Sequence, residues 1–262
     1  RARAKTEYWA LSLLWENGIR SIARPHYLDE KHEFAIFSWL DGRPMRRARV
    51  TRDHILQAVD FLHRLNKLHH KTLKKDFPDG ADSRHCLKDY ASHIERRLSR
   101  IQAGVRSLAG EKTDLKRFLA EELVPLKDRI LDQFFKRAET AGLDVTAAFP
   151  EEERTLSPSD FGFHNAVLNP EGQVRFLDFE YFGRDDPAKM AADFVHHVGQ
   201  TLSTQHKRLF LDALAGGLKH RDSFLKRLSL VSDVIALEWI LIVLNILAPE
   251  ALARKKFCDP SI

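Results

Sequence analysis

Cysteine is nearly absent from this chain: Cys86 and Cys258 are the only two, and they lie far apart. They form no ligand pair, which argues against a Cys-based metal site and for a reducing, cytoplasmic compartment. Long apolar runs are also missing. The longest, Val234–Pro249 (VIALEWILIVLNILAP), carries Glu238 and falls short of the ~20 residues that a membrane-spanning helix needs. It reads as a buried core helix, so no membrane role is expected. No signal peptide opens the chain, and no internal repeat or low-complexity segment follows. Charge of one sign is not concentrated either. The net charge of +5 comes from Lys and Arg spread along the whole length, which describes a solvated surface. The short basic pairs Arg46-Arg47 and Lys255-Lys256 carry no nucleic-acid signal by themselves. The initiator methionine is missing as well: the chain begins RARAKTEYW, so it is expected to start inside a longer protein.

What remains is ordinary globular material, 44% hydrophobic and 30% charged over 262 residues, enough for one large domain or two small lobes. Residues 3–17 carry Tyr8, Leu11, Leu14 and Trp15 at helical spacing, with Asn17-Gly18 as a stop. HEFAIFSWL (residues 32–40) is apolar and aromatic, ends at Asp41-Gly42, and predicts a buried strand. Helices are expected at about 51–70, 83–103 and 111–141, where leucines recur at helical period among Arg, Lys and Glu. Two short apolar runs, Ala166–Leu168 and Val174–Leu177, flank Asn169-Pro-Glu-Gly-Gln173 and predict a β-hairpin. Helices return at 186–197, 205–218 and 222–247.

In a mostly helical body the hairpin and the loop before it are the odd element, and such loops tend to hold chemistry. Asp160 and Asn165 lie in the entering loop, in SDFGFHN; Asp178 lies at the hairpin's far end, in FLDFEYFG. Paired antiparallel strands stand about 5 Å apart, so their outer ends bring these three residues together. Two carboxylates and an amide oxygen make a hard-oxygen set suited to Mg²⁺.

This spacing resembles the core shared by aminoglycoside phosphotransferases and choline kinases, relatives of the protein kinases. There an Asp is followed five residues later by Asn, then by a hairpin and an Asp-Phe-Glu; here these are Asp160, Asn165 and Asp178-Phe179-Glu180. The continuation DFEYFGRDDPAKMAADF, with its Asp-Pro and with Asp193 on the next helix, looks like the family too. The resemblance implies a mostly helical α+β fold. Residues 43–262 would form a protein-kinase-like C-terminal lobe, and residues 1–42 would be the remnant of a truncated N-terminal lobe. It implies that Asp160-Phe161-Gly162 is the catalytic loop rather than the magnesium triplet. Asp160 would accept or orient the acceptor's proton, and Asn165 and Asp178 would hold Mg²⁺ on ATP. Glu7 would pair with a phosphate-binding Lys, and the hinge at Ser38, Trp39 and Leu40 would receive adenine. The acceptor, a small molecule with a hydroxyl, would meet Tyr181, Asp186 and Glu238.

Two departures stand out. Pro158-Ser159 replaces the family's usual His-Gly before the Asp, so the histidine that braces the loop is missing. No glycine-rich strand–turn–strand followed by a Lys strand precedes Glu7. Either the sequence is truncated or the protein is a degenerate kinase that binds a nucleotide or a partner. Inspection of His63, His69, His70, His196 and His197 suggests surface histidines, and His164 is expected to pack or to bond backbone. Trp39 and Trp239 could each border a ligand pocket or belong to the core. Nothing in the sequence names the acceptor or the oligomeric state.

Overall fold

The structure, a computed structural model, describes residues 3–45, 49–72, 77–107, 113–249 and 251. Arg46-Arg47, Lys255-Lys256 and Cys258 lie outside them. The chain divides into two compact units, Arg1–His85 with Phe149–Leu228, and Cys86–Ala148 with Ser229–Ile262.

The first unit begins with α1 (Arg3–Glu16), which buries Ala10, Leu11 and Leu14. Its end is the one the sequence signals. Gly18, at φ +79°, lets the amides of Gly18 and Ile19 bond back to the carbonyls of Trp15 and Leu14. An antiparallel pair follows, β1 (Pro25–Asp29) and β2 (Phe34–Phe37). The predicted strand at 32–40 is therefore shorter than its apolar run, and it is not buried: Phe34 and Ile36 are exposed. Its partner β1 carries no clear alternation and escaped the sequence reading. After β3 (Arg43–Pro44), α2 (Arg52–Thr72) buries Ile55, Val59, Phe61, Leu62, Leu65 and Leu68 at three- and four-residue steps. His69 is buried with them, its Nε2 2.8 Å from the Glu151 carbonyl, so it is no surface histidine.

The hairpin forms where expected. β5 (Ala166–Leu168) pairs with β6 (Val174–Phe176) in the register Ala166↔Phe176 to Leu168↔Val174, and β3 extends the sheet beside β5. Its turn closes through Gly172 N–H to the Asn169 carbonyl at 3.1 Å and Gln173 N–H to Asn169 Oδ1 at 2.7 Å, with Gly172 at φ +76°. A second antiparallel pair, β4 (Thr155–Ser157) with β7 (Gly183–Asp185), spans three residues a side, too short to show any period. α6 (Pro187–His196) and α7 (Thr204–Gly216) follow.

The core of this unit is phenylalanine. Phe161 stacks on Phe61 at 5.7 Å and meets Phe176 and Phe194 at 4.9 and 5.6 Å; Phe179 meets Phe61 edge-on at 6.1 Å. Each key acid thus precedes a buried ring: Asp160 before Phe161, Asp178 before Phe179. Burying these rings holds the two loops in place, and each is worth several kcal/mol, about 3–5 by the cost of truncating a core Phe.

The second unit holds α3 (Leu87–Ser107), α4 (Thr113–Arg117), α5 (Val124–Thr140) and most of α8 (Arg221–Leu244). The single helix expected at 111–141 is interrupted by a π-helical turn, Phe118–Leu123. Pro125 explains it: the ring lacks an N–H and crowds the carbonyl four residues back, so the helix widens, and Val124 N–H bonds Leu119 instead. By length and composition, Arg221–Leu247 is one helix long and apolar enough to cross a membrane. It carries Glu238, buried and paired with Arg97 Nε at 3.0 Å, as in a core helix.

Candidate active site

The entering loop is strained at a defined point. Ser159 takes φ +70° and Asp178 takes φ +65°, a region that non-glycine residues visit rarely. Ser159 is secured by its hydroxyl, which donates to the Tyr181 carbonyl at 2.9 Å. At the hairpin's open end Leu177 N–H bonds the Asn165 carbonyl at 2.9 Å, which extends the ladder by one pair. Asp160 and Asn165 meet directly, and Asp178 lies near enough to Asp160 for their charges to act on each other. Asn165 Nδ2 donates to the Asp160 carbonyl at 3.1 Å and to its Oδ2 at 3.3 Å, turning Asn165 Oδ1 the other way.

Two histidines complete the cluster. His164 Nε2 and His197 Nε2 each lie 3.0 Å from Asp160 Oδ1, and their rings stack at 3.6 Å. His164 packs as expected, stacked on His197, but bonds the carboxylate rather than backbone; His197, expected at the surface, is instead an inward-facing partner of Asp160. Nothing in the local sequence marked His197, because its approach depends on where α6 ends.

Burial would raise the Asp160 carboxyl, but hydrogen bonds from His164 and His197 outweigh it and hold Asp160 far below the usual carboxylate range. Asp178 goes the other way. Burial raises it, and the charges of Glu180 and Asp160 raise it further. Glu7 is also raised, mainly by burial; its Oε1 accepts the Phe179 amide at 3.3 Å, with Asp178 and Glu180 adding repulsion. Glu7 thus reaches the Asp-Phe-Glu segment, although no lysine pairs with it among the described residues.

Asp178 and Glu7 resist ionisation beside the ionised Asp160, a crowding of carboxyls that a divalent cation would relieve. Asn165 Oδ1 and the Asp178 carboxylate are hard oxygen donors, so the residues fit Mg²⁺. Asp160, His164 and His197 also bring ligand atoms within 4.8 Å of one another. Their hydrogen bonds do not suit a metal. His197 Nδ1 accepts the Gly199 N–H at 2.8 Å, so Nε2 carries the proton, the reverse of what a metal-bound imidazole requires.

The remaining candidates separate. Ser38 has its amide on the Arg24 carbonyl and its hydroxyl on the Arg24 amide, both at 2.8 Å. Trp39 is 87% exposed, so it is not core, and no hydrogen bond engages Trp39 or Leu40 among the described residues. Tyr181 lies under Arg3, 5.3 Å from ring centre to guanidinium, and Arg3 also pairs with Glu180. Asp186 does not line a pocket: it is fully buried, caps α6 through the Ala188 amide, and holds Arg227 Nε at 3.1 Å. Glu238 is spent on Arg97 in the second unit. Asp193 pairs with Lys189 at 2.7 Å in the interior.

The fold defines a class: mostly helical α+β, of the kind found in protein-kinase-like small-molecule phosphotransferases. No family model and no curated relative matches the chain. Among solved structures, the AMP-bound complex of a spectinomycin phosphotransferase superposes with TM-score 0.60 at 12% identity, covering 97% of this chain and 80% of that one. A choline/ethanolamine kinase family protein from Mesorhizobium loti gives 0.58 at 14%, covering 93% and 70%. An ethanolamine kinase from Plasmodium vivax gives 0.54 at 14%, covering 93% and 67%. Likeness at this identity establishes the fold.

Proposed function

We propose that this chain carries the catalytic core of an ATP-dependent phosphotransferase whose acceptor is a hydroxyl on a small molecule. One observation supports the reading: Asp160 bonds Asn165 and its charge acts on Asp178, in a fold like that of small-molecule kinases. In the reaction the acceptor oxygen forms a bond to the γ-phosphorus, the bond to the β–γ bridging oxygen breaks, ADP leaves, and the hydroxyl proton goes to Asp160 or through it to solvent. Asp160, held strongly ionised, is a weak base in the ground state. Its main contribution is to align the hydroxyl, and it takes the proton only as the new bond forms. Asn165 and Asp178 would hold Mg²⁺, which when bound neutralises charge on the phosphates. Phe161 and Phe179 keep both acids in register.

Adenine would rest against the segment Ser38–Leu40, where the Trp39 and Leu40 backbone is open to a ligand. AMP bound to the spectinomycin phosphotransferase supports nucleotide use. A second reading, a nucleotide- or partner-binding pseudokinase, is favoured by one feature: Glu7 reaches the Asp-Phe-Glu segment but meets no lysine among the described residues. The experiment is to incubate full-length protein with γ-labelled Mg-ATP and choline, ethanolamine or spectinomycin, with Asp160→Asn as control. Label transfer that the control abolishes supports the enzyme. ATP binding without transfer to any acceptor or to water supports the pseudokinase.

A further inference from the structure

The loop lacks the histidine that the resemblance expects before Asp160, where Pro158-Ser159 stand instead. Two other imidazoles occupy the acid. His164 comes from the loop itself; His197 comes from just beyond α6, 37 residues away from Asp160 in sequence. Their protonation follows from their partners. His197 Nδ1 accepts Gly199 N–H, so Nε2–H is the donor to Asp160. Among the described residues, the buried His164 Nδ1 has no hydrogen-bond partner, a site tolerable for a lone pair and costly for an N–H, so its Nε2–H is a donor too.

A carboxylate oxygen offers two lone pairs, and both on Oδ1 are taken. Among the described residues, Oδ2 receives only the Asn165 amide, at 3.3 Å. The imidazoles are themselves fixed. Gln200 accepts the Phe163 amide at 2.7 Å and donates to the Phe194 carbonyl at 2.6 Å, stitching the loop to α6 on both sides of the stacked rings.

We propose that His164 and His197 are positioning residues that replace the missing brace: they saturate Oδ1, fix the carboxylate plane and present Oδ2 as the oxygen that meets the acceptor hydroxyl. This rests on the phosphotransferase reading above. The two imidazoles act through Asp160 and never touch substrate.

The test has two arms, on full-length protein. In ¹⁵N-edited NMR, both rings are expected as Nε2–H tautomers with slowly exchanging protons, and Asp160→Asn is expected to hasten that exchange. A His197 ring protonated on Nδ1 overturns the inference. In kinetics, with Mg-ATP and water or choline as acceptor, His197→Leu is expected to lower kcat by ~10²-fold, the scale of a misplaced catalytic group. Its KM for Mg-ATP should stay within about twofold, and His197→Gln, which restores an N–H donor, should recover much of the loss. Undiminished kcat in His197→Leu, or a loss that His197→Gln does not relieve, overturns the inference while leaving the phosphotransferase reading intact. Absence of turnover in the unsubstituted protein overturns that reading and this inference with it, and leaves the NMR result as a fact about geometry.

Discussion

Glu7 Oε1 accepts the backbone amide of Phe179 at 3.3 Å, a bond that joins residues 172 apart in sequence. It ties α1 to the segment carrying Asp178 and brings the Glu7 carboxyl toward Asp178 and Glu180. Negative groups are thus gathered around the place where a cation would sit.

Asp178→Asn should therefore stabilise the metal-free protein. A carboxyl raised in the folded state keeps its proton longer there than in the unfolded chain. Stability accordingly falls as pH climbs through the unfolded value of 3.8 and on to the folded one. The variant removes that penalty and keeps a side chain that tolerates positive φ. Its thermal midpoint in EDTA should match the parent's below about pH 4 and exceed it by a margin growing toward neutral pH. Mg²⁺ should close the gap by raising the parent alone. Calorimetry across pH checks this, and a midpoint lowered at pH 7 would count against the cation site.

Asp160→Asn and Asp178→Asn should differ in kind. The first should leave Mg-ATP affinity within a few-fold and cut kcat by roughly 10²–10⁴, the range for a lost acid–base group. The second should weaken Mg-ATP binding itself, with partial recovery at raised Mg²⁺. Normal turnover in Asp160→Asn beside a dead Asp178→Asn would reverse the assignment.

Asp186 and Arg227 offer a control outside the chemistry. Arg227 is buried against Asp186 and also bonds Glu153. Arg227→Met strands two carboxylates and should cost about 3–5 kcal/mol, the usual penalty for breaking a buried pair. Acceptor KM should not move in whatever fraction stays folded. Denaturant unfolding and steady-state kinetics on the same samples distinguish this from a substrate-binding role for Asp186.

Gly162 admits no side chain. A Cβ there would lie 2.6 Å from His164 Nδ1 and 2.9 Å from Gln200 Oε1. Gly162→Ala should push the imidazole off Asp160, lowering stability by about 1–3 kcal/mol and kcat more than KM. Thermal unfolding and initial rates measure both.

On the proposed reading, calorimetry of residues 1–262 with Mg-ATP should give weak binding, because adenine contacts at Ser38–Leu40 would act there without a glycine-rich turn or its lysine. Submicromolar affinity would mean that other residues hold the phosphates.

Much of this protein is decided locally and was readable along the chain. Leucines at helical period specify α2 and α3; Asn17-Gly18 ends α1; the Asn169–Gln173 turn fixes the hairpin register, and with it the Leu177–Asn165 bond at the open end. These follow from backbone preferences and side-chain period, which act over a few residues. What the tertiary structure alone decided are pairings with no local signature. Strands of three residues such as β4 and β7 carry no period, and their pairing depends on what packs around them. Whether Asp186 and Glu238 meet ligand or arginine depends on where Arg227 and Arg97 arrive from other elements. His197 reaches Asp160 because α6 stops where it does, and burial then makes that approach count: inside, a carboxylate must find donors, and which donors are near is a property of the whole fold.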